Sequence, residues 1–149
     1  MSLDIRLADA DATEALGAAL AGRLRPGDAV CLYGLLGAGK TTLARGLIRA
    51  LTGPDEEVPS PTFTLVQLYE GPDFPVSHFD LYRLESAGEA DELGLDEALE
   101  DGAALIEWPQ RLGGRLPPDR LDIEIAFDAE GRLARLTPHG AWKGRPLEP

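Results

Sequence analysis

The nine residues 34–42, GLLGAGKTT, constrain the fold of this chain more than any other stretch. Gly34, Gly39, Lys40 and Thr41 match the phosphate-binding pattern G-x-x-x-x-G-K-[ST]. Glycines let the backbone direct several N–H groups at one anion. The lysine supplies a positive charge for the β- and γ-phosphates, and the threonine supplies a hydroxyl for Mg²⁺. The sequence therefore predicts a site for a nucleoside triphosphate.

The segments on either side of this loop support the prediction. Residues 28–34, DAVCLYG, form a short apolar run that indicates a buried strand. Residues 43–51 carry apolar side chains at helical spacing, and Gly53 is a stop signal. The helix N-terminus then faces the phosphates with its partial positive charge. We expect the phosphates to contact the loop at Gly37, Ala38, Gly39, Lys40, Thr41 and Thr42.

The rest of the chain alternates between strand and helix patterns. This predicts an α/β fold, a P-loop NTPase-like three-layer sandwich with central parallel strands and an antiparallel hairpin on each side. The first hairpin is expected over 62–69 and 75–84, the second over 121–127 and 132–138. We expect one domain over residues 1–140 and a flexible C-terminal tail over 141–149.

Local helix signals give more detailed expectations. Asp11 and Glu14 resemble an N-cap pair at the start of the first helix. Ser86 and Glu89 form a capping-box pair that opens an acidic helix, and Gly94 is expected to interrupt it.

Composition narrows the class of protein. The chain has 149 residues, 44% of them hydrophobic, and a single cysteine, so an intramolecular disulfide is impossible and a reducing cytosol is expected. Asp4 and Arg6 stand where a signal peptide needs apolar residues. No run approaches the roughly 18 apolar residues of a membrane span. We expect a cytoplasmic protein without a membrane segment.

The charge disfavours direct RNA binding. The formal net charge is −12, from 26 acidic and 14 basic residues, so no basic stripe can follow a phosphate backbone. Acidic residues cluster at 54–57 and 85–101, either as a solvated surface or as a face that docks a basic protein. Lys143 lies outside any N/T-K-x-D motif, which favours adenine over guanine as the base.

Two acidic residues that follow apolar strands complete the predicted site. A phosphate-binding loop needs an acidic group at the end of a neighbouring strand to hold Mg²⁺ or its waters. We assign Glu107 to the metal together with Thr41, and Asp80 to the second shell or to orienting the attacking water, although the two roles could be exchanged. Lys40, Asp80 and Glu107 are the predicted catalytic residues.

Three further residues near these motifs allow more than one interpretation. Trp108 could report nucleotide binding, contact a partner or simply pack. Thr62, in the loop SPT at 60–62, could sense the γ-phosphate as part of a switch segment or belong to an ordinary proline loop. Arg83 could neutralise charge in the transition state or form a surface salt bridge. No arginine is an obvious finger, so we expect slow intrinsic hydrolysis.

Four motifs in this order, GLLGAGKTT, SPTFTLV, HFDLYRL and IEWP, closely resemble those of the TsaE (YjeE) family of bacterial ATPases. These proteins act in making the threonylcarbamoyl modification of the adenosine beside the anticodon of tRNAs. The resemblance runs from about Thr13 to Arg135. It implies a single-domain cytoplasmic P-loop ATPase that uses ATP and Mg²⁺.

The resemblance also implies which residues are functional. It places Mg²⁺ at Thr41 and Glu107, gives roles to Asp80 and Trp108, and puts Thr13 and Arg132 near the nucleotide. One departure is Leu35, which stands where the family usually has Asp in GDLGAGKT.

The partner that the resemblance implies is the TsaD–TsaB pair, which performs the carbamoyl transfer. An acidic ATPase of this kind would touch tRNA only indirectly. Our hypothesis is that ATP binding and hydrolysis reset the transferase complex between turnovers.

Two other functions remain open at this stage. A small nucleotide kinase would need an arginine-rich lid, for which Arg111 and Arg115 are the candidates. A nucleotide-sensing interaction module would bind Mg·ATP tightly and barely hydrolyse it.

Overall fold

The structure, a computed structural model, describes residues 2–61 and 64–148. Its strands are β1 (Leu3–Leu7), β2 (Ala29–Tyr33), β3 (Val66–Glu70), β4 (Pro75–Asp80), β5 (Ala103–Glu107), β6 (Arg120–Asp128) and β7 (Gly131–Pro138). Its α-helices are α1 (Ala10–Ala21), α2 (Lys40–Thr52), α3 (Glu89–Glu92) and α4 (Leu95–Asp101). Short 3₁₀ segments cover Pro109–Arg115 and Gly140–Trp142.

The described strands form one mixed sheet in the order β1-β7-β6-β2-β5-β4-β3. The four inner strands β6, β2, β5 and β4 run parallel to one another. Antiparallel pairing adds β3 at one edge and β7 with β1 at the other. The predicted parallel centre with a hairpin on each side is therefore confirmed.

Helices cover both faces of this sheet, as the three-layer prediction requires. Successive residues of a strand point to opposite faces, and β2 follows this rule. Val30 packs in a core cluster with Leu16 of α1 and Leu47 of α2. Cys31 packs in a second cluster with Leu95 of α4. The sheet is thus buried from both sides, which suits its nearly continuous apolar inner strands.

The contact between α1 and α2 depends on two glycines. A Cβ on Gly17 would lie 2.1 Å from the Leu43 carbonyl oxygen, and one on Gly46 would lie 2.1 Å from the Glu14 carbonyl oxygen. The two helix backbones therefore approach more closely than any side chain would allow. This approach fixes α1 beside the phosphate-binding loop.

The predicted first cap is wrong in position. Asp9, in extended conformation, is the N-cap of α1, and its carboxylate accepts a hydrogen bond of 2.9 Å from the Ala12 N–H. Asp11 already lies in the first turn, and Glu14 forms an ion pair with Arg49 at 3.3 Å. Asp9 takes the cap because it is the acidic residue that precedes the first helical turn.

The acidic helix also differs from its prediction. Gly88 precedes α3 without a side-chain cap, and Glu89 accepts a hydrogen bond from the Glu85 N–H instead of forming the capping box with Ser86. Gly94, at φ 85°, separates α3 from α4 as predicted. The first hairpin is confirmed by the pairing of β3 with β4, but β3 begins at Val66 and β4 ends at Asp80, before the predicted end at 84.

The C-terminal segment, predicted to be a flexible tail, packs against the rest of the fold at several residues. Trp142 is completely buried, and Leu147 packs against the core. The Arg145 guanidinium binds the Asp28 carboxylate through hydrogen bonds of 2.6 and 3.2 Å. A buried carboxylate and an apolar surface thus supply partners for residues of this segment. In the described part of the chain, no helix has the length and apolar character that spanning a membrane requires.

Candidate functional site

The phosphate-binding loop connects β2 to α2 and has the backbone of an anion cradle. Gly37 and Gly39 have φ values of 80° and 116°, which only glycine adopts readily. A Cβ on Gly37 would meet no atom within 4 Å, so its Cα faces open space. The loop therefore leaves its main chain accessible to a ligand.

Two cavities lie against this loop, and Gly37, Gly39 and Thr42 line both of them. The first, the phosphate cavity, has a volume of about 210 Å³ and is also lined by Leu36, Lys40, Thr41, Ser60, Asp80, Glu107 and Trp108. The second, the nucleoside-side cavity, has a volume of about 240 Å³ and is also lined by Leu7, Asp9, Ala10, Thr13, Ala38, Glu130, Gly131 and Arg132. The loop forms the wall between them.

The two predicted acids lie side by side. Asp80 ends β4 and Glu107 ends β5, and the two residues are partners in the parallel register. Both are almost buried, at 4% and 3% exposure. The Thr41 hydroxyl donates to the Glu107 carboxylate, with its Oγ1 3.1 Å from Oε1 and 3.0 Å from Oε2. The start of α2 and the end of β5 thus bring together the hydroxyl and the carboxylate to which the sequence analysis assigns Mg²⁺, and that assignment stays a prediction.

Lys40 lines the same phosphate cavity. Its ammonium donates to the Gly34 carbonyl oxygen and lies 3.8 Å from the centroid of the Trp108 ring. Burial lowers the pKa of Lys40, and the charges of Glu107 and Asp80 oppose this effect. A bound polyanion would favour the charged ammonium further.

Trp108 is placed by unusual backbone geometry. It follows β5 with φ 60°, in the left-handed region. Its ring contacts Tyr82, with centroids 4.8 Å apart and planes tilted by 59°. The Tyr82 N–H donates to Asp80 Oδ1 at 3.0 Å. The chain after β4 and the chain after β5 therefore support each other beside the phosphate cavity.

Arg132 and Thr13 border the nucleoside-side cavity. Arg132 donates through Nε to the Ala38 carbonyl oxygen at 3.2 Å and through Nη2 to that of Gly37 at 3.3 Å. Thr13 is buried in α1, and its Cγ2 would lie 3.5 Å from a Cβ on Gly39. Both residues thus touch the loop from the side away from Glu107.

Most of the predicted residues meet around the loop, with two exceptions. Thr62 lies outside the described residues, so its role as a γ-phosphate sensor stays a prediction. Arg83 is exposed and lines neither cavity.

Sequence reasoning missed one residue. His78 is fully buried, and its Nε2 lies 2.6 Å from Glu107 Oε2. The signal was available, because His78 precedes Asp80 by two residues in a strand and must share its face.

A family model described as "Threonylcarbamoyl adenosine biosynthesis protein TsaE" matches residues 7–135. Three similar proteins carry the name tRNA threonylcarbamoyladenosine biosynthesis protein TsaE. That of Rickettsia conorii is 41% identical over 125 residues, 83% of this chain and 71% of that protein. That of Bacillus subtilis is 40% identical over 121 residues, which are 80% of this chain and 75% of that protein. That of Streptomyces coelicolor is 44% identical over 115 residues, which are 74% of this chain and 76% of that protein.

A solved structure gives the same answer at the level of the fold. The crystal structure of Bacillus subtilis YdiB superposes with a TM-score of 0.79 and 33% sequence identity. The match covers 94% of this chain and 87% of that one.

Proposed function

This chain belongs to the TsaE family, whose members are named for tRNA threonylcarbamoyladenosine biosynthesis, and from that premise we propose that it binds ATP with Mg²⁺ and hydrolyses it slowly. One observation supports the proposal most directly. The Lys40 ammonium, the Thr41 hydroxyl and the carboxylates of Asp80 and Glu107 line one cavity under a glycine loop. This is the set of groups that phosphoryl transfer to water needs.

The donor atoms suit Mg²⁺. Magnesium prefers oxygen ligands and is usually held by one or two carboxylates together with waters and substrate phosphates. Thr41 and Glu107, already hydrogen-bonded to each other, would hold it, and Asp80 lies one strand away. The ion would neutralise charge on the β- and γ-phosphate oxygens.

We assign the nucleoside to the other side of the loop. The nucleoside-side cavity is lined by Thr13 and Arg132, whereas Asp80 and Glu107 line the other cavity. A nucleotide lying across the loop would place its triphosphate over the main chain of Gly37–Thr42 and its nucleoside against these two residues.

Slow hydrolysis follows from the groups around the phosphate cavity. In this proposal Asp80 orients the attacking water, and Lys40 stabilises charge on the γ-phosphate. Among the described residues, those that line the phosphate cavity include no arginine. An arginine finger is worth about 10³–10⁵ in rate, so its supply by a partner would account for stimulation.

We propose that the partner is the TsaD–TsaB pair, that tRNA is contacted only through it, and that the cycle runs in the cytoplasm.

The test measures ATP binding and hydrolysis by this chain and by Lys40→Ala, with and without the TsaD–TsaB pair. We expect binding by the unmodified chain alone, turnover that rises when the pair is added, and loss of both in the variant. Equal rates in all four samples would refute the proposal.

One alternative retains support. The lack of an arginine in the described cavity lining also suits a nucleotide sensor, which would bind Mg·ATP without partner-stimulated turnover. The kinase has less support, because Arg115 is engaged by Asp91 at 2.7 Å and lines neither cavity.

A further inference from the structure

We infer that His78 is a positioning residue that holds the Glu107 carboxylate in the orientation a metal ion requires. The inference rests on the proposed function, because it takes Glu107 as the Mg²⁺ ligand. It concerns a residue that would itself touch neither nucleotide nor metal.

The contact is short and shielded from water. The distance from His78 Nε2 to Glu107 Oε2 is 2.6 Å, and the two side chains are 0% and 4% exposed. In the register of β4 and β5, Glu107 is opposite Asp80, and His78 is two residues earlier on the same face as Asp80. The register of these two adjacent parallel strands therefore brings the His78 and Glu107 side chains to the same face of the sheet.

The chemistry of the pair fixes the direction of the hydrogen bond. An ionised carboxylate only accepts, so Nε2 carries the proton. Nδ1 has no hydrogen-bond partner in the described structure. The Nε2–H tautomer leaves a lone pair unpaired at that position instead of an N–H group. An N–H donor at Nε2 therefore holds the Glu107 carboxylate in one orientation.

The two oxygens of Glu107 are thereby distinguished. Oε2 accepts from His78, while the Thr41 hydroxyl lies 3.0–3.1 Å from both oxygens. Rotation of the carboxylate about its last bond would break the His78 contact. Oε1 is consequently the oxygen that stays available beside Thr41. Partners that orient a metal ligand in this way are worth about 10- to 100-fold in metal affinity or activity.

A packing role must be separated from a positioning role, and two variants do this. His78→Gln keeps an N–H donor near the place of Nε2, whereas His78→Leu fills the space without a donor. His139→Leu is the matched control, since it removes the other histidine–carboxylate pair, that with Asp122 at 2.9 Å.

The first measurement is the Mg²⁺ concentration that half-saturates ATP binding, by calorimetry, with ATP affinity in EDTA measured alongside. We expect His78→Leu to raise the Mg²⁺ requirement about 10- to 100-fold while the affinity in EDTA stays within about twofold. His78→Gln should recover most of the loss, and His139→Leu should match the unmodified chain. An unchanged Mg²⁺ requirement in folded His78→Leu, or equal losses in the Leu and Gln variants, would overturn the inference.

The second measurement needs no nucleotide. Nitrogen-15 NMR of the imidazole, assigned by comparison with His139→Leu, should show the Nε2–H tautomer of His78, and Glu107→Gln should shift its signals. The Nδ1–H tautomer would overturn the positioning role. If the Nε2–H tautomer and the shift in Glu107→Gln are observed but Mg·ATP does not bind, the proposed function is refuted while the hydrogen bond itself is established.

Discussion

The Lys40 ammonium lies 3.8 Å from the centroid of the Trp108 ring, and the lysine also donates to the carbonyl oxygen of Gly34. Trp108 lines the phosphate cavity, and Gly34 belongs to the phosphate-binding loop. A triphosphate that enters the cavity competes with them for the ammonium, because a full negative charge attracts it more strongly than a ring face or a carbonyl dipole.

We predict that Trp108 fluorescence reports this exchange. The chain has two tryptophans, and Trp142 is buried in the packed C-terminal segment. Mg·ATP should therefore change the emission of the unmodified chain, because the cation leaves the Trp108 ring. The change should persist in Trp142→Phe and vanish in Trp108→Phe. A change that survives in Trp108→Phe would contradict the prediction.

Nucleotide binding should take up a proton at alkaline pH. Burial lowers the pKa of free Lys40 below its ordinary 10.5, and bound phosphates should raise it again. As pH rises through the lowered value, the free lysine loses a proton that binding must restore. Affinity should then fall by up to about tenfold per pH unit.

The measurement for this prediction is calorimetry in buffers of different ionisation enthalpy. Lys40→Arg is the matched control, because guanidinium stays charged over this range. Proton uptake that is equal in both proteins would assign it to another group.

The exchangeable roles of Asp80 and Glu107 can be resolved with isosteric variants. We predict that Glu107→Gln raises the Mg²⁺ requirement about 10- to 100-fold, because it weakens the metal ligand. Asp80→Asn should instead lower kcat about 10²-fold or more with little change in ATP affinity, because it loses the group that orients water. Titration of Mg²⁺ in both assays distinguishes them, and the reverse pattern would exchange the two assignments.

Much of the fold and of the site could be predicted from local patterns. The glycine loop, the apolar strands before and after it, and the acids at the ends of two strands are each visible within a few residues. Parallel strands then bring those strand ends to one edge of the sheet, which is why Asp80 and Glu107 meet.

Features that depend on distant partners could not be predicted in this way. Gly17 and Gly46 look like weak points in helices until the helix backbones are seen to touch. His78 has no local signal beyond its place in a strand, since its partner Glu107 is 29 residues away. The C-terminal segment likewise packs through partners distant in the sequence, Asp28 and the core.

The ion pair between Arg145 and Asp28 gives the last prediction. Their side chains are 7% and 3% exposed, and the Arg145 guanidinium also lies 4.5 Å from the centroid of the Trp142 ring. Removing one member of a buried pair leaves the other charge unpaired and typically costs about 3–5 kcal/mol. Arg145→Met should therefore lower the free energy of unfolding by about that amount in urea titrations, and adding Asp28→Asn should recover part of it. Lys143→Met, at an exposed position of the same segment, is the control. Equal free energies of unfolding for Arg145→Met and Lys143→Met would mean that the ion pair does not stabilise the fold.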